Sequence, residues 1–189
     1  MNKEFLSKLN YTPKENSDGV FSKKFVDGYS IDVNIENESI YWGGKIKVQG
    51  KTSQNITKLE DWVVFECINR LLEKGYEPEN ISLEKTYPSG HGTSGRLDIC
   101  VTKKDKSEYL LIECKTYGAE FDKALKKLYK DGGQLFTYFK FSNKAKLIML
   151  YASELNKNQI VYRNEIIKIE EDYKEIGRAS CRERVLMPV

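Results

Sequence analysis

Two carboxylates and an ammonium stand at a spacing that adjacent strands can bring together: Asp98, then Glu113-Cys114-Lys115 fifteen residues on. Side chains alternate faces along a strand, so Glu113 and Lys115 project from one side, while Ile112 and Cys114 turn to the core. Asp98 lies in Gly95-Arg96-Leu97-Asp98-Ile99-Cys100-Val101, where Leu97, Ile99 and Val101 hold the opposite face. The charged run Lys103-Lys104-Asp105-Lys106 between the two segments reads as a hairpin turn. Pairing across that turn sets Asp98, Glu113 and Lys115 at one spot. Such a group suits phosphodiester hydrolysis. Two carboxylates with a backbone carbonyl and water make an all-oxygen octahedral site for Mg2+, with Mn2+ as a substitute. An ion of this kind acidifies water and offsets charge on the pentavalent transition state. A lysine beside it orients the attacking water, or helps deprotonate it where the cation depresses the lysine's pKa. A lone Glu-x-Lys on a strand is usually a solvated face. The weight here rests on Asp98 and on the surrounding elements.

Those elements read as follows. Residues 20–48 alternate apolar and polar side chains, with turns at Asp27-Gly28 and Gly43-Gly44, and form a small antiparallel unit within an extension spanning 1–56. Val20-Phe21, Phe25-Val26, Tyr29 to Ile35 and Ile40 to Trp42 are its strand segments. Ile56 to Lys74 is the strongest helix, apolar on most sides, with Thr57 as N-cap, Glu60 closing a capping box and Gly75 ending it. Strands follow at Ile81–Tyr87, Arg96–Val101 and Tyr109–Lys115. A helix from Glu120 to about Lys130 is interrupted by Gly132-Gly133 and continues from Gln134 to Phe141. Ala145 to Ala152 is an apolar run of strand length suited to a central, doubly covered position. Ile160 to Tyr162 and Ile166 to Ile169 form an edge pair. The order predicts an α/β core over 57–172, a mixed central sheet with a helix on each face. Residues 173–189 read as a disordered or non-native tail.

The motifs carry a resemblance. Leu97-Asp98 with Glu113-Cys114-Lys115 looks like the PD-(D/E)xK nuclease signature, with Leu97 where the motif has proline. Gln134-Leu-Phe-Thr-Tyr138 resembles the Q-x-x-x-Y element of the nuclease domain of type I restriction enzyme motor subunits. Phe65 to Gly75, Gly95 to Val101 and Leu111 to Thr116 are similar in phrasing to the N-terminal nuclease region of restriction enzymes fused to a DNA methylase. The resemblance covers roughly residues 57–165 and implies a restriction-endonuclease-like core that cuts DNA in a restriction-modification system. It also implies that Asp98, Glu113 and the Cys114 carbonyl bind metal and that Lys115 acts on water. Glu66 matches a helix carboxylate used as an extra ligand or water contact; an exposed Glu at a gap in the apolar surface is an equal reading. Gln134 and Tyr138 match residues that contact substrate or position the lysine, although a tyrosine at such a place is more often a core aromatic.

The remaining features weigh less. Lys123, Lys126, Lys127 and Lys130 share one helix face that could grip DNA phosphates or simply be solvated. Gly90-His91-Gly92-Thr93-Ser94-Gly95 fits a dinucleotide-loop pattern by letter but precedes a strand instead of opening a helix. His91 reads as a solvated loop residue. Cysteines 67, 100, 114 and 181 show no C-x-x-C spacing, and the first three sit in apolar runs as core residues of a reducing cytoplasm. Residues 177–189 hold three arginines and one glutamate, so the body is nearly neutral despite the overall charge of +3 and offers no composition-level case for nucleic acid. No apolar run approaches the roughly 20 residues that cross a bilayer, so no membrane is expected. With no ATP-loop or methyl-transfer motif, translocation, methylation and sequence reading fall to methylase or specificity regions elsewhere. Cutting both strands would take a dimer or a repositioning step. The other functional class is a catalytically silent DNA-binding or docking module of the same fold.

Overall fold

The computed structural model describes residues 2–50, 54–87, 95–142 and 144–169. His91 with most of its glycine-rich loop, and the tail at 173–189, lie outside the described residues. Helix α1 (Asn2–Lys8) leads into an antiparallel sheet of β1 (Thr12–Pro13), β2 (Val20–Lys24), β3 (Ser30–Asn34) and β4 (Ser39–Tyr41), neighbours in that order. Then come β5 (Lys47–Val48), α2 (Leu59–Glu73), β6 (Ile81–Tyr87), β7 (Gly95–Thr102), β8 (Glu108–Cys114), α3 (Ala119–Asp131), α4 (Gly133–Phe141), β9 (Leu147–Asn156) and β10 (Gln159–Lys168). These strands form a mixed sheet ordered β10-β9-β8-β7-β6-β5, parallel at β8/β9 and β5/β6 and antiparallel elsewhere.

Strand alternation sorts the core into two layers. On β8, Leu110, Ile112 and Cys114 join the cluster under α2, while Leu111 joins the one under α3 and α4. On β9, Met149 and Tyr151 face α2, and Ile148, Leu150 and Ala152 face the other way. A strand covered on both faces reads as a continuous apolar run, so the central placement expected of Ala145 to Ala152 is met. Cys67, Cys100 and Cys114 are buried free thiols, as their apolar neighbours imply.

As expected, Gly132 (φ 82) and Gly133 (φ 54) break the run between α3 and α4, so the second face carries both stretches. Three expectations change. The expected edge pair after β9 is one strand, β10, paired along its whole length with β9 across Lys157-Asn158. Both turn residues have positive φ (44 and 67), which suits the twist of a two-residue hairpin. Phe25-Val26 is not a strand: Val26–Gly28 form a 3-10 turn, with Asp27 in the left-handed region (φ 61). The third change is at the N-terminus, where α1 forms and packs on α2. Phe5, Leu6, Leu9, Ile31, Val33 and Trp42 share a single apolar cluster with Trp62, Phe65 and Ile68. Phe5 meets Trp62 edge-on at 5.2 Å, and Tyr11 lies 5.2 Å from Phe65. Helix α2 is therefore buried between the two sheets, which is why its sequence is apolar nearly all round.

Candidate functional site

The ladder between β7 and β8 ends where Ile99 pairs with Ile112. One step further along that register Asp98 faces Glu113, and there the side chain takes over from the backbone. Asp98 Oδ2 accepts the Cys114 N–H at 2.7 Å, satisfying a donor that the ended ladder leaves over. The strand also turns at this point. Leu97 lies in the α3/α4 layer, whereas Ile99 and Val101 lie under α2, so the three do not hold one face as alternation alone suggests. Across from Asp98 on β6, between the pairs Leu83–Ile99 and Lys85–Leu97, Glu84 adopts the left-handed region (φ 52). Asp98 thus sits where β7 rotates.

Lys115 follows directly on β8, its amide tied to the Tyr151 carbonyl of β9 at 2.9 Å. Its Nζ donates to Glu113 Oε1 at 2.8 Å, to the Cys114 carbonyl at 2.9 Å and to Glu60 Oε1 at 3.0 Å. Glu60 comes from the first turn of α2 and is the residue that sequence reasoning missed at the site. The expected capping box of Thr57 and Glu60 does not form, because the cap lies one residue on. Lys58 is the N-cap, and Asp61 Oδ2 accepts the Lys58 and Thr57 amides at 2.7 and 3.0 Å. That frees Glu60 to reach Lys115.

Glu66, taken from the resemblance as the helix carboxylate of the site, faces another partner set. It is 1% exposed, receives the Tyr151 hydroxyl at 2.5 Å and pairs with Arg70 at 2.6 Å, and Arg70 stacks on Tyr162. Oε2 ties α2 to β9 through Tyr151, and Oε1 is taken by Arg70 one turn on along the same helix.

Electrostatically the site is under load. Burial first, then the Glu113 charge, raises Asp98 well above the usual aspartate range, against the Cys114 N–H and Lys115. Burial likewise raises Glu113, opposed by Lys115. Burial pulls Lys115 down, but the charge and hydrogen bond of Glu113, with Asp98 and Glu60, outweigh it and hold the lysine protonated. Three carboxylates thus share one ammonium. Glu113 Oε2 is buried without a hydrogen-bond partner.

Asp98 and Glu60 line a smaller cavity of about 130 Å³ with Glu84 and Arg96, whereas Glu113 and Lys115 open on a cleft of about 510 Å³ between the sheet and α3/α4, lined also by Lys123, Lys127, Gln134 and Leu150. Of the four candidate phosphate-binding lysines, Lys123 and Lys127 line it; Lys126 and Lys130 are exposed outside its lining. Gln134 is exposed at its edge and donates to the Tyr138 hydroxyl at 2.5 Å. Tyr138 itself is 1% exposed and donates to the Arg96 carbonyl at 2.8 Å, so it braces the start of β7 and is a core aromatic. Burial, with the nearby Glu113 charge, pushes its hydroxyl up to about 12. Gly95 makes room for that ring, since a Cβ there would lie 2.6 Å from Tyr138 Cε1. Gly95→Ala is therefore expected to destabilise the fold by about 1–3 kcal/mol, the usual penalty for overpacking. A lowered urea midpoint at unchanged slope would show it; an unchanged midpoint would mean that the ring yields freely.

Among the described residues, no group of three or more His, Cys, Asp or Glu side chains forms a ready metal cage. The donors nonetheless fit a hard divalent cation: the acceptor atoms around Lys115 are oxygens, and one of them, Glu113 Oε2, is buried and unpartnered. Asp98, Glu113 and the Cys114 carbonyl are the groups that would hold it. No helix among the described residues is long and apolar enough to cross a membrane.

No curated protein matches the chain. The model of the family described as type I restriction enzyme R protein N terminus matches residues 59–169, which spans α2 through β10 and every site group described above. With more than half of its length matched, and with a mixed sheet compatible with a restriction-endonuclease-like core, the chain belongs to that family, a nuclease-like domain of restriction-modification systems.

Proposed function

We propose that the chain is a Mg2+-dependent endonuclease domain, with Mn2+ able to serve, that hydrolyses DNA phosphodiester bonds within a restriction-modification assembly. The observation that carries this reading is the buried, unpartnered Glu113 oxygen beside Asp98 and Lys115, at the mouth of a cleft rimmed by Lys123 and Lys127. A divalent cation would supply charge neutralisation of the phosphate and acidification of water. Asp98 and Glu113 hold that charge in place, Asp98 being fixed by the Cys114 N–H. Lys115, held as an ammonium by its carboxylates, orients the attacking water by donating to it. Lys123 and Lys127 grip flanking phosphates, which positions a strand without reading its bases.

Sequence specificity and much of the affinity then come from methylase or specificity regions outside this chain, and double-strand cutting from a second copy or a repositioning step. The test is to incubate supercoiled plasmid with the chain in Mg2+ or Mn2+ and map the ends. Slow nicking at scattered positions, abolished by Asp98→Asn, is expected. Undiminished nicking by Asp98→Asn would overturn the assignment.

The cleft lining also separates the four lysines. Lys127→Glu should weaken binding of a short duplex and flatten its salt dependence by about one counterion unit. Lys126→Glu, outside the cleft, should change both much less. Equal effects in a filter-binding titration would remove α3 from the DNA path.

A further inference from the structure

We infer that the ammonium of Lys115 stands in the seat of the cation, and that Glu60 is the carboxylate that receives it when the cation enters. The inference rests on the cation site proposed above. Two of the three donor groups assigned to the cation are engaged by the lysine: Glu113 Oε1 at 2.8 Å and the Cys114 carbonyl at 2.9 Å. A divalent ion and an ammonium cannot share those oxygens, because like charges at contact distance in a partly buried site repel strongly. Glu113 Oε2, buried beside them, has no hydrogen-bond partner.

The lysine's third acceptor, Glu60 Oε1 at 3.0 Å, is separate from these donors. It comes from a different element, the first turn of α2, and its side chain is 44% exposed, so it can hold the ammonium nearer to solvent. The lysine can give up the donor pair and keep Glu60 by rotating its flexible stem. Cation entry then fixes the lysine at the rim, beside the place where a water attacks. Glu60 is thus a positioning residue that acts through Lys115.

The test is a Mn2+ titration by calorimetry on the full chain as wild type, Lys115→Met, Glu60→Gln and the double variant. Each variant is first checked by thermal melting for a cooperative fold, and Lys115→Gln replaces Lys115→Met if the latter does not fold. Lys115→Met should bind Mn2+ about ten-fold tighter or more, a modest share of what removing a unit charge at this range allows. Glu60→Gln should weaken binding several-fold in the wild type and clearly less in the Lys115→Met background, because there is no longer a lysine to receive. Equal weakening in both backgrounds would make Glu60 a direct ligand and overturn the inference, as would a Lys115→Met variant no tighter than wild type. Asp98→Asn separates the levels: Mn2+ binding untouched by that change would place the ion elsewhere and sink the proposed cation site as well.

Discussion

Lys115→Met is expected to leave a folded chain whose DNA cutting falls by about 10²–10⁴-fold, the range for one positioned proton-transfer group. The fold should survive because the backbone at this position is held independently of the side chain, through the Lys115 N–H to the Tyr151 carbonyl. The side chain is also at the rim, 23% exposed, and packs no apolar layer. What disappears is, among the described residues, the ammonium bonded to Glu113, and with it the group proposed to orient the water. Lys115→Arg should not restore the rate, since a guanidinium presents a planar fork where the site holds a compact charge. The measurement is a single-turnover nicking rate alongside a melting curve. A folded Lys115→Met variant that cuts at the wild-type rate would show that the lysine merely balances the charge of Glu113 and Glu60.

Asp98→Asn should abolish cutting and at the same time make the metal-free chain more stable. Asn can still accept the Cys114 N–H through its carbonyl oxygen, so the hydrogen bond at the ladder's end is kept. What is removed is a charge that burial and Glu113 both oppose. The pH dependence has a definite sign. A carboxyl whose pKa is raised on folding binds its proton more tightly in the native state. The stability it confers is full below the unfolded value and is lost as pH rises through the native one. For Asp98 that loss begins above about pH 4, the ordinary aspartate range, and Glu113, raised in the same direction, adds to it. The variant's advantage over the wild type should therefore grow as pH rises from that range and vanish below it. Each 1 kcal/mol recovered lifts the midpoint of a chain this size by about 2–4 °C. Thermal melts at pH 4 and pH 8 in chelator decide the matter; a variant less stable than the wild type at pH 8 would mean that Asp98 holds the fold together as an anion.

The sequence-based expectations succeed where local periodicity and local chemistry agree. Strand β6 runs over Ile81–Tyr87 as expected, and Asp98 comes to Glu113 because the Lys103–Ser107 turn sets the register of β7 and β8. They falter where a pattern has two solutions. Thr57-x-x-Glu60 and Lys58-x-x-Asp61 both place an acid three residues after a potential cap, and only the packing of α2 decides for the second. Glu66 enters the candidate site through the resemblance alone; Arg70, one turn on, is a local partner, but that Tyr151 of β9 takes its other oxygen is a long-range fact. The rotation of β7 at Asp98 is similarly hidden, since strict alternation would put Leu97 and Ile99 on one side, and the left-handed backbone at Glu84 that accompanies the turn carries no glycine to announce it. The α1 segment is too short to show periodicity and owes its helix to docking of Phe5, Leu6 and Leu9.

That docking bears on how this domain could be cut out and attached to other proteins. A truncation at residue 57, the boundary that the motifs alone suggest, would keep Asp98, Glu113, Lys115 and even Glu60. It would also strip Phe5, Leu6, Ile31, Val33 and Trp42 from one side of α2 and leave Trp62 and Phe65 facing water. A newly bared aromatic patch of this kind invites self-association. The helix that loses its cover is also the one whose first turn carries Glu60, so the damage would reach the lysine's partner as well as solubility. A transplantable cutting module made from this chain therefore has to start at α1.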